Sequence, residues 1–145
     1  MNKKQILWGI IIVAVLGIFD AGFLTYEHYG GGIPPCTING CETVLTSPYS
    51  IILGFPISLL GVLFYLSVLF TAFILRKKDT YLIKIILLTI TSVGFLFSLY
   101  LLYLQVSVIG ALCQYCLFSF LFSTTLFVGV VLYFLKKDTG LFVLN

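Results

Sequence analysis

Charge is what this chain has least of. Lys, Arg, Asp and Glu make up only 9% of its 145 residues, while 61% are apolar. An ordinary soluble domain carries about 25% charged residues. A globule of this size could not hide so much apolar surface, so a water-soluble fold is excluded. Period-2 alternation is also missing, and the apolar runs are too long for barrel strands, which excludes an outer-membrane-type barrel. The first apolar run outlasts a signal peptide's apolar region of about 7 to 15 residues, and no A-x-A cleavage site follows it. It reads as a retained span. Internal repeats, low-complexity runs and linkers are lacking too, so a single membrane domain over residues 1–145 is expected.

What is present is four apolar stretches, at residues 6–26, 54–75, 85–109 and 111–135. Each is long enough to cross a bilayer, which takes about 20 residues of helix. The last two nearly merge, so a tight bend is expected at residues 107–111, with Gly110 as its pivot. The expected fold is an all-α membrane protein: a four-transmembrane-helix bundle with a loop that carries a cysteine pair, Cys36 and Cys41. All eight basic residues fall on one side of this topology. Lys3 and Lys4 precede span 1, Arg76, Lys77, Lys78 and Lys84 lie between spans 2 and 3, and Lys136 and Lys137 follow span 4. Segments 27–53 and 107–112 hold none. Basic residues collect on the cytoplasmic side. Both termini are therefore expected in the cytoplasm, and the other two loops outside it. The net charge of +3 is this bias and not a nucleic-acid footprint. Lipid is the expected surrounding, and nucleic acid is not an expected partner.

All four cysteines fall on the outer side, an oxidising compartment where disulfides persist. Cys113 and Cys116 form a C-x-x-C at the start of span 4, one helical turn apart on one face. Cys113 is expected in the first turn, where free amides and the helix dipole favour a thiolate. Cys116 is expected deeper, toward lipid. The outer sulfur would then exchange with protein thiols, and the inner one would face a hydrophobic acceptor. Cys36 and Cys41 flank "TING", whose Asn39-Gly40 is a tight-turn pair that brings the two together. The preceding "YGGGIPP" suggests a mobile hairpin able to carry a disulfide toward Cys113 and back. Two readings compete with redox chemistry at this point. A non-enzymatic membrane scaffold could use both pairs as structural disulfides. Four cysteines could also hold zinc, but the x4 spacing and the membrane edge fit a zinc site poorly, so no metal is expected.

The motifs stand in a telling order. Span 1 ends "FLTYEHY"; then come "CTINGCETVLTSP", "GFPISLLGVLFY" entering span 2, and the C-x-x-C opening span 4. This order resembles the vitamin K epoxide reductase family in its prokaryotic form, over nearly the whole chain. The family of the bacterial disulfide bond protein B resembles it less well, because there the C-x-x-C comes in the first outer loop. The resemblance implies a prokaryotic plasma-membrane enzyme whose bundle encloses a quinone (menaquinone or ubiquinone) near the outer face. It implies that the C-x-x-C is the active disulfide and the loop pair a shuttle that oxidises a thioredoxin-like partner. Because the chain ends at Asn145 on the cytoplasmic side, that partner is expected to be a separate protein.

Carried over by position, the partner attacks Cys36, Cys41 then attacks Cys113, and Cys116 faces the quinone. Ser47, six residues after Cys41, matches a family position near the active centre. Alone it would read as a helix cap before Pro48. Asp20 is the only acid deep in a span, about 9 Å below the outer end of span 1. Such a residue is functional by default, here as a proton source or hydrogen-bond partner for the quinone. Phe23, Phe120 and Ile57 complete the expected cofactor-binding set. Phe120 and Ile57 stand where animal enzymes that reduce the epoxide carry a tyrosine and an asparagine that hydrogen-bond the ring. Quinone reduction is therefore expected, with poor activity on vitamin K epoxide. Glu27 and His28 are expected to be solvated rim residues, and Lys84 is expected to snorkel to the cytoplasmic interface.

Overall fold

The computed structural model describes residues 1–136; Lys137 and the tail to Asn145 lie outside the described residues. Helix α1 spans Lys3–Gly30. Its start is fixed by a capping box, in which the Asn2 amide donates to Gln5 Oε1 at 2.8 Å. It stops at Gly31, whose φ of 69° turns the chain left-handed while its amide bonds the Glu27 carbonyl. At 28 residues it is longer at both ends than the apolar run alone suggested. That gives about 42 Å of helix, enough to reach past the hydrocarbon on both sides.

A short helix, α2 (Cys41–Leu45), follows the outer loop, and a single 3₁₀ turn covers Pro48–Ser50. Two tiny antiparallel strands, β1 (Ile51–Ile52) and β2 (Phe55–Pro56), pair Ile52 with Phe55. Leu53 at φ 53° and Gly54 at φ 84° make the two-residue link between them. That hairpin delays the next helix, so α3 runs Ile57–Lys77 with Pro56 as its cap, not from residue 54. Helix α4 runs Tyr81–Tyr103 and widens into a π-helical turn at Leu104–Ile109. The bend falls at Gly110, φ 69°, as expected. Three residues without regular structure then separate it from α5 (Gln114–Leu135), which starts later than residue 111.

The four long helices are apolar enough to cross a membrane, and the chain is a multi-pass membrane protein. Helix α1 packs between α3 and α5, and α4 closes the bundle against the same two. The core between them holds Ile10, Ala14, Tyr65, Val68, Ala72, Leu126 and Val130. Close approach is bought with glycine: a methyl group at Gly17 would overlap the Tyr65 ring, and one at Gly94 the Phe64 ring. Large apolar side chains such as Phe19, Phe70 and Leu96 cover the outside of the bundle, as lipid contact requires.

The end of the bundle opposite the cysteines gathers the basic groups. Arg76 lies over the Trp8 ring at 4.6 Å, and Lys3 and Lys84 both approach the Tyr133 ring. Lys84 also pairs with Asp79 at 2.7 Å, so it is held by an ion pair and does more than reach for the interface.

Candidate functional site

The outer loop is fastened to the start of α5. The Tyr115 hydroxyl donates to the Pro35 carbonyl at 2.7 Å. The Thr37 amide donates to Gln114 Oε1 at 3.1 Å, and the Thr37 hydroxyl donates to the same oxygen. Gly40 rests on the main chain of Leu112. Asn39-Gly40 does form a turn, but it feeds straight into α2 and makes no hairpin. Cys36 and Cys41 are joined as a disulfide, with Cα atoms 6.2 Å apart. In this arrangement the loop is docked.

Docking decides which sulfurs are hidden. Cys41, the first residue of α2, is 1% exposed and forms a small buried cluster with Val44 and Cys113. Cys113 is fully buried beneath the loop, while Cys116 is only partly covered and lines a cavity. The loop seated on Cys113 closes off the outer sulfur, while Cys116 lies deeper in the bundle, as expected, and its remaining exposure is toward the cavity. Cys113 is not in the first helical turn. It is the N-cap of α5, with extended φ of −105° and ψ of 123°.

The cap position still favours its thiolate. Cys113 and Cys116 are free thiols, and hydrogen bonding from Cys116 is the largest cause that lowers the Cys113 thiol from 9.0 to about 7. Burial opposes this, and the amides of Cys116 and Tyr115 add to it. Those amides act mainly as aligned dipoles at the helix start. The Cys113 amide itself donates to Gln105 Oε1 at 3.0 Å.

A cavity of about 830 Å³ opens beside Cys116. Its walls come from every long helix: Asp20 and Leu24 of α1, Ile57 and Tyr65 of α3, Phe97 of α4, and Cys116, Ser119 and Phe120 of α5. Ser47 closes it on the loop side. Ser47 occupies the cap position of the 3₁₀ turn but does not cap it; its hydroxyl donates back to the Val44 carbonyl at 2.7 Å and ties the turn to α2. Asp20, Ala21, Leu24, Glu27 and His28 form one stripe of α1 along the cavity. Glu27 and His28 thus line its mouth, although they were expected only at the solvated rim.

Phe23 falls just off that stripe. It is 39% exposed, and its ring leans on Tyr115 at 5.7 Å. Phe23, expected in the cofactor-binding set, is therefore not among the residues that line the cavity.

Polar groups are few in the wall, and most are satisfied. The Tyr65 hydroxyl donates to the Ser119 carbonyl at 3.0 Å and shares a 2.8 Å hydrogen bond with the Ser119 hydroxyl. Asp20 interacts electrostatically with Tyr65, Cys113 and Cys116, yet its Oδ2 is buried without a hydrogen-bond partner. An orphaned carboxyl oxygen at this depth is costly. Tyr65, Ser119 and Gln105 were not anticipated from the sequence. The signal for Gln105 was there: it is an amide inside a long apolar run, legible by the rule that picked out Asp20. Among the described residues no three His, Cys, Asp or Glu side chains gather as a metal site would need.

The arrangement can perform thiol–disulfide exchange internally. A loop dithiol facing a Cys113–Cys116 disulfide would exchange to a loop disulfide and two free thiols, with two electrons moved inward. The structure holds Cys36 and Cys41 as a disulfide and Cys113 and Cys116 as thiols. No curated protein matches the chain in sequence. Residues 8–131 match the profile described as Vitamin K epoxide reductase family. The matched stretch runs through all four long helices and both cysteine pairs, and the chain therefore belongs to the vitamin K epoxide reductase family.

Proposed function

We propose that this membrane thiol oxidoreductase is a quinone-linked thiol oxidase that draws electrons from a separate thioredoxin-like protein and so supports disulfide formation outside the cytoplasm. One observation carries the reading. The C-x-x-C has one sulfur sealed against Cys41 and the other on the wall of a large cavity. Such a pair connects thiol exchange on one side to a membrane-soluble acceptor on the other.

The exchange balances as follows. A partner thiolate attacks Cys36, the less buried sulfur of the loop disulfide, and Cys41 leaves as a thiolate. Cys41 attacks Cys113 of a Cys113–Cys116 disulfide, and Cys116 leaves. The partner's second thiol releases Cys36, which attacks Cys41 and frees Cys113. The partner is now a disulfide, the loop disulfide is restored, and Cys113 and Cys116 are thiols.

The cavity suits a quinone. Its volume lies in the usual range of about 300 to 1,000 Å³ for small-molecule sites, its wall is mainly apolar, and Cys116 and Asp20 stand on it. When bound there, a quinone accepts two electrons and two protons. Cys116 presents its sulfur to that space, and Asp20 holds or passes a proton there. Ser47 secures the loop-side wall. Ile57 and Phe120 shape the wall but offer no hydrogen-bond donor, which supports quinone over epoxide as the substrate.

The test is direct. The purified protein should reduce a quinone when given a reduced thioredoxin-like protein, with little turnover when vitamin K epoxide replaces the quinone. Quinone reduction that persists in Cys116→Ala, or comparable epoxide turnover, would contradict the reading. The extracytoplasmic placement of both pairs is supported by the one-sided basic residues. A membrane-impermeant thiol reagent should label the reduced loop pair on intact cells; labelling from the cytoplasmic side alone would reverse the topology.

A further inference from the structure

Gln105 lies in the π-helical turn that ends α4 and is 3% exposed. π-turns inside helices often mark functional sites, because they redirect a side chain. Here the redirected carboxamide meets Cys113. Its oxygen accepts the Cys113 amide at 3.0 Å. Of a carboxamide's two ends only the oxygen can accept from an N–H, so this bond determines which end is which. The Gln105 main-chain carbonyl also accepts the amides of Gly110 and Ala111. Both halves of the residue thus hold the turn that delivers Cys113 to the head of α5.

The other end of the carboxamide is unclaimed. Gln105 lines the cavity, and its NH₂ group hydrogen-bonds no described residue. It is not sealed off either, since the Asp20 oxygen is the orphaned buried polar atom among the described side chains. Most hydroxyls of the wall are already engaged: Ser47 and Ser50 donate to main-chain carbonyls, and Tyr65 and Ser119 satisfy one another and the Ser119 carbonyl. Tyr49 and Ser58 keep unbonded hydroxyls, but Tyr49 is 46% exposed and neither bonds the cysteine segment.

We infer that Gln105 donates a hydrogen bond from its carboxamide NH₂ to a carbonyl oxygen of the cavity's quinone and, through its own carboxamide oxygen, links that ligand to the main chain of Cys113. The inference rests on the quinone reading and adds a binding and positioning residue to it. One rigid carboxamide then spans ligand and cysteine. It supplies the donor that Ile57 and Phe120 lack.

Two variants separate the halves of the carboxamide. Gln105→Glu, studied at pH 9, keeps an oxygen for the Cys113 amide and loses the NH₂ donor. Gln105→Leu loses both. The measurements use the full-length protein in detergent with all cysteines oxidised, so that no thiol adds to the probe. The probes are decylubiquinone and a short-tailed menaquinone. Calorimetry reads the dissociation constant, and infrared spectroscopy reads the carbonyl stretch of the bound quinone. In the parent that band should lie below its frequency in detergent alone. Both variants should weaken binding about 10-fold, the effect of one ordinary hydrogen bond, and should lose the downshift. Only Gln105→Leu should also lower the melting temperature. Parent-like affinity and band in Gln105→Glu would overturn the inference alone. A parent protein that binds neither quinone would overturn the quinone reading along with it.

Discussion

Gly40 rests directly on the carbonyl of Leu112: a Cβ at Gly40 would stand 2.5 Å from that oxygen. These are the residues that precede Cys41 and Cys113, so the two cysteine pairs meet main chain to main chain. Gly40→Ala should hold the loop away from Cys113. A displacement of about 1 Å can cost about 10²-fold in rate, and transfer from the reduced loop pair to Cys113 should slow by that order. The Cys36–Cys41 disulfide should still form. Stopped-flow oxidation of the reduced loop checks this, and a parent-like rate would mean that exchange does not use this contact.

The Cys113 thiol, lowered to about 7 chiefly by hydrogen bonding from Cys116, carries a pH prediction. A lowered value means that the thiolate forms above pH about 7 and is lost as the pH falls through it. The stabilisation it brings to the reduced fold is complete only above the ordinary value of 9.0 and is lost on acidification through the folded one. Cys116→Ala removes the largest cause, so the midpoint should climb toward the ordinary range. Cys116→Ser keeps a donor and should raise it less. Thiolate absorbance of each variant, titrated with the loop disulfide intact, measures this. Parent-like midpoints in both variants would assign the shift to the helix start and not to residue 116.

Asp20→Asn should slow quinone reduction by about 10²-fold, the lower end of what a positioned acid–base group contributes. Exchange between Cys41 and Cys113 should proceed as before. Because the substitution removes an unpartnered carboxyl oxygen, the melting temperature should hold or rise. Single-turnover quinone reduction and a thermal melt together decide it. A normal rate with a lowered melting temperature would make Asp20 a structural residue.

Long apolar runs advertise membrane helices plainly, so the four spans and the bend at Gly110 were legible before the structure. Their ends were not, because these depend on local devices: the capping box at Asn2, the small hairpin before α3 and the π-turn after Tyr103. That π-turn, with the irregular residues after it, makes Cys113 a cap and not a first-turn residue. The enclosure of Cys113 was hidden for a different reason: it arises when a loop some 70 residues earlier folds over it, a tertiary event with no local signature. Phe23 shows the limit of residue type as a guide to the cavity lining. A plausible residue type near Asp20 misses the cavity by a fraction of a helical turn.

The central claim is that electrons pass between the pairs through Cys41 and Cys113, whose sulfurs share one buried cluster, while Cys116 serves the cavity. Thiol exchange runs through a mixed disulfide, and removing the leaving sulfur halts it there. Peptide mapping of the Cys116→Ser protein under non-reducing conditions is the most direct measurement. It should find Cys41 linked to Cys113 as the dominant disulfide, with Cys36 free. A dominant Cys36–Cys113 linkage, or no linkage between the loop and Cys113, would contradict the account.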